Sequence, residues 1–210
     1  MTRPSAGAQR PAPKKKLDLR NPWVIDTRDL PRSPGSMREM SVAVPAPEGF
    51  GSTMLVVPKG RDIELELRLE SVSEGVWVSG TAYTHVAGEC GRCLEPFTGD
   101  SRARFNELYA YPGSAELLVD EDDLDAPDVS LIQDELIDLE PVVRDAILLG
   151  FPLNPLCKAE CLGLCSICGI RLDDLGSAAS EHSHETIDPR WAALGNLAGL
   201  TDLEDPSTEA

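Results

Sequence analysis

The chain has 210 residues, enough for one domain with appendages or for two small ones, and is 41% hydrophobic with 17 Pro and 17 Gly. Nine Lys and Arg stand against four Asp and Glu in the first 40 residues, and ten against 32 in the rest, a net of −22 there and −17 overall. A body that acidic repels phosphate backbones, which makes naked RNA or DNA a poor partner for it; the same charge attracts basic proteins, or simply keeps the chain soluble.

Residues 1–16, MTRPSAGAQRPAPKKK, read as a disordered basic arm. Its Lys14, Lys15 and Lys16 are candidate RNA contacts, although a short lysine cluster is more often a solvated tail. No apolar run follows the arm, so no signal peptide is expected. Nowhere do about 18 uncharged apolar residues run together, so no membrane span is expected either. The expected compartment is the cytoplasm, where the six cysteines point to metal ligation or free thiols over disulfides.

Residues 17–112 predict an antiparallel β domain. Trp23, Val24 and Ile25 open a strand, and Pro31, Pro34 and Gly35 forbid a long regular element after it. Ile63, Leu65, Leu67 and Leu69 alternate with Glu64, Glu66, Arg68 and Glu70, the period of a strand with one wet face. Glu74-Gly75 fits a hairpin turn, a return strand follows from Val76 to Val86, and a third runs from about Phe97 to Tyr109. These strands predict a β-meander or open barrel carrying the Cys90-Gly-Arg-Cys93 motif.

Residues 113–128 hold seven carboxylates between Glu116 and Asp128 and read as a solvated acidic loop. A strand/helix segment is expected over 129–156. Within it IDLEPVVRDAILLGFP predicts a core-packing helix capped by Asp138, with Pro141 in its first turn and Gly150 and Pro152 ending it. A Cys/His segment fills 157–187. Asp188-Pro189 opens a last helix over 188–200, and an acidic tail closes 201–210. The fold class is α+β: an antiparallel meander or open barrel, then a helix, then a small zinc-binding C-terminal region ending in a helix.

The cysteines fall as Cys90-x2-Cys93, Cys157-x3-Cys161 and Cys165-x2-Cys168, the last followed by Gly169. Paired thiolates at such spacing can face one ion across a tight turn, and a following glycine lets the backbone fold under the metal. Zinc takes four ligands. His182 and His184 raise the candidates to eight, two tetrahedral sets. The preferred division joins Cys165, Cys168, His182 and His184, and sets Cys157 and Cys161 with Cys90 and Cys93. That second set would staple the C-terminal segment to the sheet. The alternative gathers Cys157, Cys161, Cys165 and Cys168 around one ion and leaves the others free. Zinc is therefore expected at one or two per chain. Free thiols in a chain that folds without metal, or a redox role for CGRC, are the competing readings. The redox role is disfavoured because CGRC lies between strands, away from a helix start. Two filled four-ligand sites leave no open position for catalysis, so the zinc is expected to be structural.

The CxRCL of Cys90–Leu94, IDLEPVVRDAILLGFPLNPLC over 137–157, CLGLCSICG over 161–169 and IDPRWAALGNL in that order resemble the YceD-like family of bacterial proteins. The resemblance runs from about residue 17 to about residue 200, and DTRDLPRSPGSMRE is similar to its actinobacterial form. Members of this type usually read C-x-C where this chain has His182-Ser183-His184, an allowed exchange at a zinc site. The resemblance implies a role in synthesis, processing or stability of 23S (large-subunit) ribosomal RNA. It also implies frequent coding beside a small zinc-binding protein of the large subunit. It names no catalytic residue and implies no small-molecule substrate. The leading expectation is a non-enzymatic factor for large-subunit biogenesis that binds a basic ribosomal protein or a pre-ribosomal particle, with nucleic acid touched indirectly or weakly. The alternative is a direct RNA-binding zinc-knuckle protein. A metal-dependent RNA-processing enzyme stands third.

Overall fold

The computed structural model describes residues 16–114 and 129–184. Most of the basic arm, the acidic loop from residue 115, the helix expected over 188–200 and the tail lie outside the described residues. The chain divides into two compact units, Met1–Ala159 and Glu160–Ala210. In chain order the first unit holds β1 (Val24–Asp26), β2 (Met37–Pro45), β3 (Leu55–Val56), β4 (Asp62–Ser71), β5 (Gly75–Glu89), β6 (Pro96–Ala110), β7 (Leu136–Asp138) and helix α1 (Glu140–Gly150).

The alternation in β4 is realised without a break. Ile63, Leu65, Leu67 and Leu69 are buried, while Glu64, Glu66 and Arg68 face solvent. β4 pairs antiparallel with β2 on one side, Met37↔Glu70 to Pro45↔Asp62, and with β5 on the other, Glu64↔Tyr83 to Ser71↔Val76. β5 and β6 pair along their whole length, from Gly75↔Ala110 to Glu89↔Pro96. The short β3 lies beside the far end of β5, and β1 and β7 form a separate two-stranded sheet.

The inner face of the large sheet, including Val44, Leu65, Val78 and Phe105, belongs to one apolar core with Val143 and Ile147 of α1. Val143 and Ile147 are 0% exposed, as the i, i+4 spacing requires of a helix with one apolar stripe. Trp23 stacks on Phe50 at 5.8 Å between ring centroids, and its indole N–H donates to the Pro45 carbonyl at 3.2 Å. The Tyr109 hydroxyl donates to the Asp138 carbonyl at 2.8 Å. Burial, aided by the charges of Glu107 and Asp138, pushes its ionisation up, so the phenol keeps its proton.

Four points differ in detail from the expectation. Of the expected meander or open barrel, the described strands form the antiparallel meander: β2 pairs with β4, β4 with β5 and β5 with β6, and β2 and β6 are not paired with each other. The long β2 was not expected; the prolines and Gly35 precede it, and Gly35 at φ 88 makes the turn into it. The hairpin expected at Glu74-Gly75 is formed, with the Val72 N–H donating to the Gly75 carbonyl at 2.9 Å, and Gly75 is at the same time the first residue of β5. It is glycine because a Cβ there would collide with the Tyr109 carbonyl of the paired strand. Asp138 is the last residue of β7, paired with Val24, so its backbone is committed to the strand. The N-cap position is Leu139, and the Asp138 carboxylate accepts the Glu140 N–H at 3.0 Å just beyond it.

In the second unit, Leu164 bridges Arg171 antiparallel around the Cys165–Cys168 turn, and a 3-10 stretch follows over Leu172–Ser180. No helix of the described residues is long and apolar enough to cross a membrane. The packing of α1 gives a direct expectation. Ile147→Ala should lower unfolding free energy by about 2–5 kcal/mol, read from urea denaturation. A loss well under about 1 kcal/mol would show that α1 does not seal the core.

Candidate metal centre

The β5–β6 hairpin delivers the first pair of ligands. Cys90 follows the last residue of β5 and Cys93 lies three residues before β6, so CGRC is the hairpin's connection. The chain after α1 returns to this connection, where the Gly91 N–H donates to the Pro155 carbonyl at 2.8 Å. That contact brings Cys157 alongside, its Sγ 3.8 Å from that of Cys93. With Cys161, four residues further on, these sulfurs all lie within 4.8 Å of one another. Cys90, Cys93 and Cys161 are 0%, 3% and 1% exposed.

The second group is Cys165, Cys168, His182 and His184, whose ligand atoms also lie within 4.8 Å of one another. The Cys168 sulfur is 3.4 Å from His182 Nε2, and the Nε2 atoms of His182 and His184 are 3.0 Å apart. Cys168 and His184 are exposed, and Cys165 and His182 are half-buried.

The two CxxC turns share one local geometry. The Cys90 N–H donates to the Glu95 carbonyl at 2.9 Å and the Leu94 N–H to the Cys90 carbonyl at 2.9 Å. In the second turn Cys165 pairs with Ile170 at 2.8 Å and Gly169 with Cys165 at 2.9 Å. The residue after each motif is left-handed, Leu94 at φ 60 and Gly169 at φ 70. Glycine is the natural residue there; Leu94 holds the same conformation against its own Cβ, at a cost of roughly 1–2 kcal/mol. Sequence reading found Gly169 but could not find Leu94, because leucine carries no turn signal.

The same turns aim backbone N–H groups at sulfur. At Cys90 burial pushes the thiol up, but the N–H groups of Cys157, Cys93 and Arg92 outweigh it and bring it from 9.0 down to about 6. At Cys165 the N–H groups of Cys168 and Ile167 dominate, against burial and with help from the His182 and Cys168 side chains, and bring it from 9.0 to about 6. Thiolate is the ligand form, so both turns are prepared for a cation before one arrives.

Donor chemistry and spacing fit zinc. Zn–S bonds of about 2.3 Å at the tetrahedral angle put sulfurs about 3.8 Å apart, and Zn–N bonds of about 2.0–2.1 Å put nitrogens about 3.3–3.4 Å apart. The observed separations of 3.8 Å between sulfurs and 3.0 Å between imidazole nitrogens lie close to these values. All eight candidate ligands thus fall into the two sets of four that the preferred sequence division joined; the single-ion grouping of Cys157, Cys161, Cys165 and Cys168 is not the one formed. Of the candidate RNA contacts, Lys16 is exposed, and Lys14 and Lys15 lie outside the described residues.

The lowered thiols give a pH expectation. A thiolate favoured by folding stabilises fully above the unfolded value near 9 and loses that contribution as pH falls to about 6. Thermal unfolding followed from pH 9 to pH 6 should show stability declining across this window, and Cys165→Ser should flatten part of the slope. An unchanged slope in the variant would contradict the assignment.

The profile of the family described as large ribosomal RNA subunit accumulation protein YceD matches residues 78–198. An uncharacterized protein of Mycobacterium tuberculosis is 40% identical over 194 residues, covering 91% of this chain and 89% of the relative. One from Mycobacterium leprae is 37% identical over 179 residues, 85% of this chain and 79% of the relative. A Bacillus subtilis protein, also uncharacterized, is 34% identical over 91 residues, 39% of this chain and 46% of its own length. No solved structure matches the chain. The profile spans all eight candidate ligands and more than half of the sequence, and on that match the chain belongs to the YceD family.

Proposed function

We propose that the chain is a non-enzymatic cytoplasmic factor that supports synthesis, processing or stability of 23S ribosomal RNA by binding a basic ribosomal protein. Structural zinc at Cys90, Cys93, Cys157 and Cys161, and at Cys165, Cys168, His182 and His184, would hold its turns in shape. Family membership connects the chain to accumulation of the large ribosomal RNA. The observation that carries the choice of a protein partner is the solvent face of the large sheet. Glu64 and Glu66 stand exposed along β4, with Glu70 half-buried beyond them and Glu39 exposed on the neighbouring β2. Met37, Glu70 and Trp77 lie in one row across three strands, and Met37 and Trp77 are 53% and 38% exposed. Arg68, ion-paired with Glu70 at 3.5 Å, and Arg102 and Arg104 of β6 stand on the same face, so its charge is mixed; the carboxylate-rich β2–β4 side, edged by accessible apolar side chains, is the part that suits a Lys- and Arg-rich polypeptide.

One feature of the same face favours the direct RNA reading. On β6, Arg102 lies over the Tyr83 ring at 5.2 Å, with Arg104 two residues along on the exposed side. Arginine beside an aromatic ring can stack a base.

Immobilised full-length chain presented separately with the proteins of dissociated large subunits and with naked 23S RNA distinguishes the readings. The expected result is retention of a basic ribosomal protein, weakened in a Glu64→Lys/Glu66→Lys variant, and little retention of RNA. Salt-sensitive retention of RNA alone, lost in Arg102→Ala/Arg104→Ala, would replace the proposal with the RNA reading. Cleavage of precursor RNA by purified chain, lost on changing a single carboxylate, would overturn the non-enzymatic assignment.

A further inference from the structure

The two ligand sets differ in what surrounds them. In the first, three of the four cysteines are at most 3% exposed. In the second, no ligand is buried: Cys168 and His184 are open to solvent, and Cys165 and His182 are half-covered. The ligands themselves also differ, four thiolates against two thiolates and two imidazoles. A zinc ion with four thiolates carries a formal charge of −2, whereas two thiolates and two neutral imidazoles balance it. Zinc commonly changes hands by attack of an incoming ligand on a temporarily expanded shell, so access to the metal governs exchange.

Among the described residues, the segment that bears the second set buries little apolar surface. From Leu164 to His184 no described residue is buried, and the 3-10 stretch Leu172–Ser180 buries none of its side chains. That stretch is interrupted at Gly176, where φ is 54 and ψ is −122. Its described backbone contacts are local ones, among them Cys165 to Ile170, Gly169 to Cys165, Leu172 to Gly163, Asp174 to Arg171 and Glu181 to Ala178, with a bridge between Leu164 and Arg171. A stretch without buried apolar surface does not offset its own ordering entropy. The β unit, by contrast, has a continuous core running from Trp23 to Ile147.

We infer that Cys165, Cys168, His182 and His184 form an exchangeable site for free divalent zinc, and that residues 164–184 are ordered only while it is filled. The segment is thereby a zinc-responsive element: its ordered state follows zinc availability while the β unit stays folded. This rests on the reading of the second set as a zinc site, and goes beyond a structural role by giving that ion a different exchange behaviour from its neighbour.

The test uses full-length zinc-loaded protein, its metal content measured first, then mixed with excess chelator. Zinc release is followed by a colorimetric indicator and backbone order by hydrogen exchange and mass spectrometry. The expected result is one zinc released in a fast phase, with loss of amide protection over 164–184 and unchanged protection in β4, β5 and β6. Adding zinc back restores the protection. A Cys168→Ser/His184→Ala variant should bind one zinc fewer, lack the fast phase and show the unprotected segment from the start. A loaded chain whose zinc content is unchanged by that variant overturns the reading of the second set as a zinc site. A variant that does lose one zinc, together with release of both wild-type ions at one rate or protection of 164–184 that persists after removal, leaves that reading standing and overturns the inference of exchange.

Discussion

The pairing of β5 with β6 is the constraint on which the first unit depends. It runs without interruption from Gly75↔Ala110 to Glu89↔Pro96. One face of this ribbon supplies Val76, Val78, Ala82, Phe105 and Tyr109 to the core. Its connection is CGRC, so the same register that buries those side chains also fixes where Cys90 and Cys93 stand. A slip of one residue would turn the core side chains to solvent. Gly80 shows how tightly the register is held: a Cβ there would come within 2.7 Å of the Phe105 ring and 2.8 Å of the Glu66 carbonyl.

From that hairpin outward, the candidate metal chemistry follows a simple electrostatic logic. Withdrawal from water raises the Cys90 thiol, and the N–H groups of Cys157 on the returning chain and of Cys93 and Arg92 in the turn outweigh it. The second CxxC turn repeats the arrangement in a far more open setting. Two turns with one backbone plan and opposite solvent exposure suit different tasks, a permanent brace and a site that answers to its surroundings.

Much of this was legible in the residues. The Ile63–Leu69 alternation announced β4, and the Val142, Val143, Ile147 spacing announced α1, because a single buried face leaves a period behind. The Cys and His spacings supplied the eight candidates and a preferred division, but the choice between two ions and one needed the three-dimensional grouping. What escaped was set by neighbours distant in sequence. β2 carries Met40, Val42 and Val44 on its inner side, an alternation obscured by Arg38 and by the preceding prolines. The N-cap position of α1 falls on Leu139, one residue beyond Asp138, while the Asp138 carboxylate still accepts the Glu140 N–H at the helix start. Gly75 closes the β4–β5 hairpin as expected, but the close approach of β6 that also requires a glycine there is revealed only by the paired strand. Leu94 holds a glycine conformation that no propensity suggests.

The central claim is that the eight cysteine and histidine ligands serve two separate zinc ions. Zinc content per chain, measured by elemental analysis on purified wild-type protein and on a His182→Ala/His184→Ala double variant, tests it most directly. The account predicts two zincs in the wild type and one in the variant. One zinc in both, with the protein loaded with zinc beforehand, would contradict it, because the set completed by His182 and His184 would then hold no ion of its own.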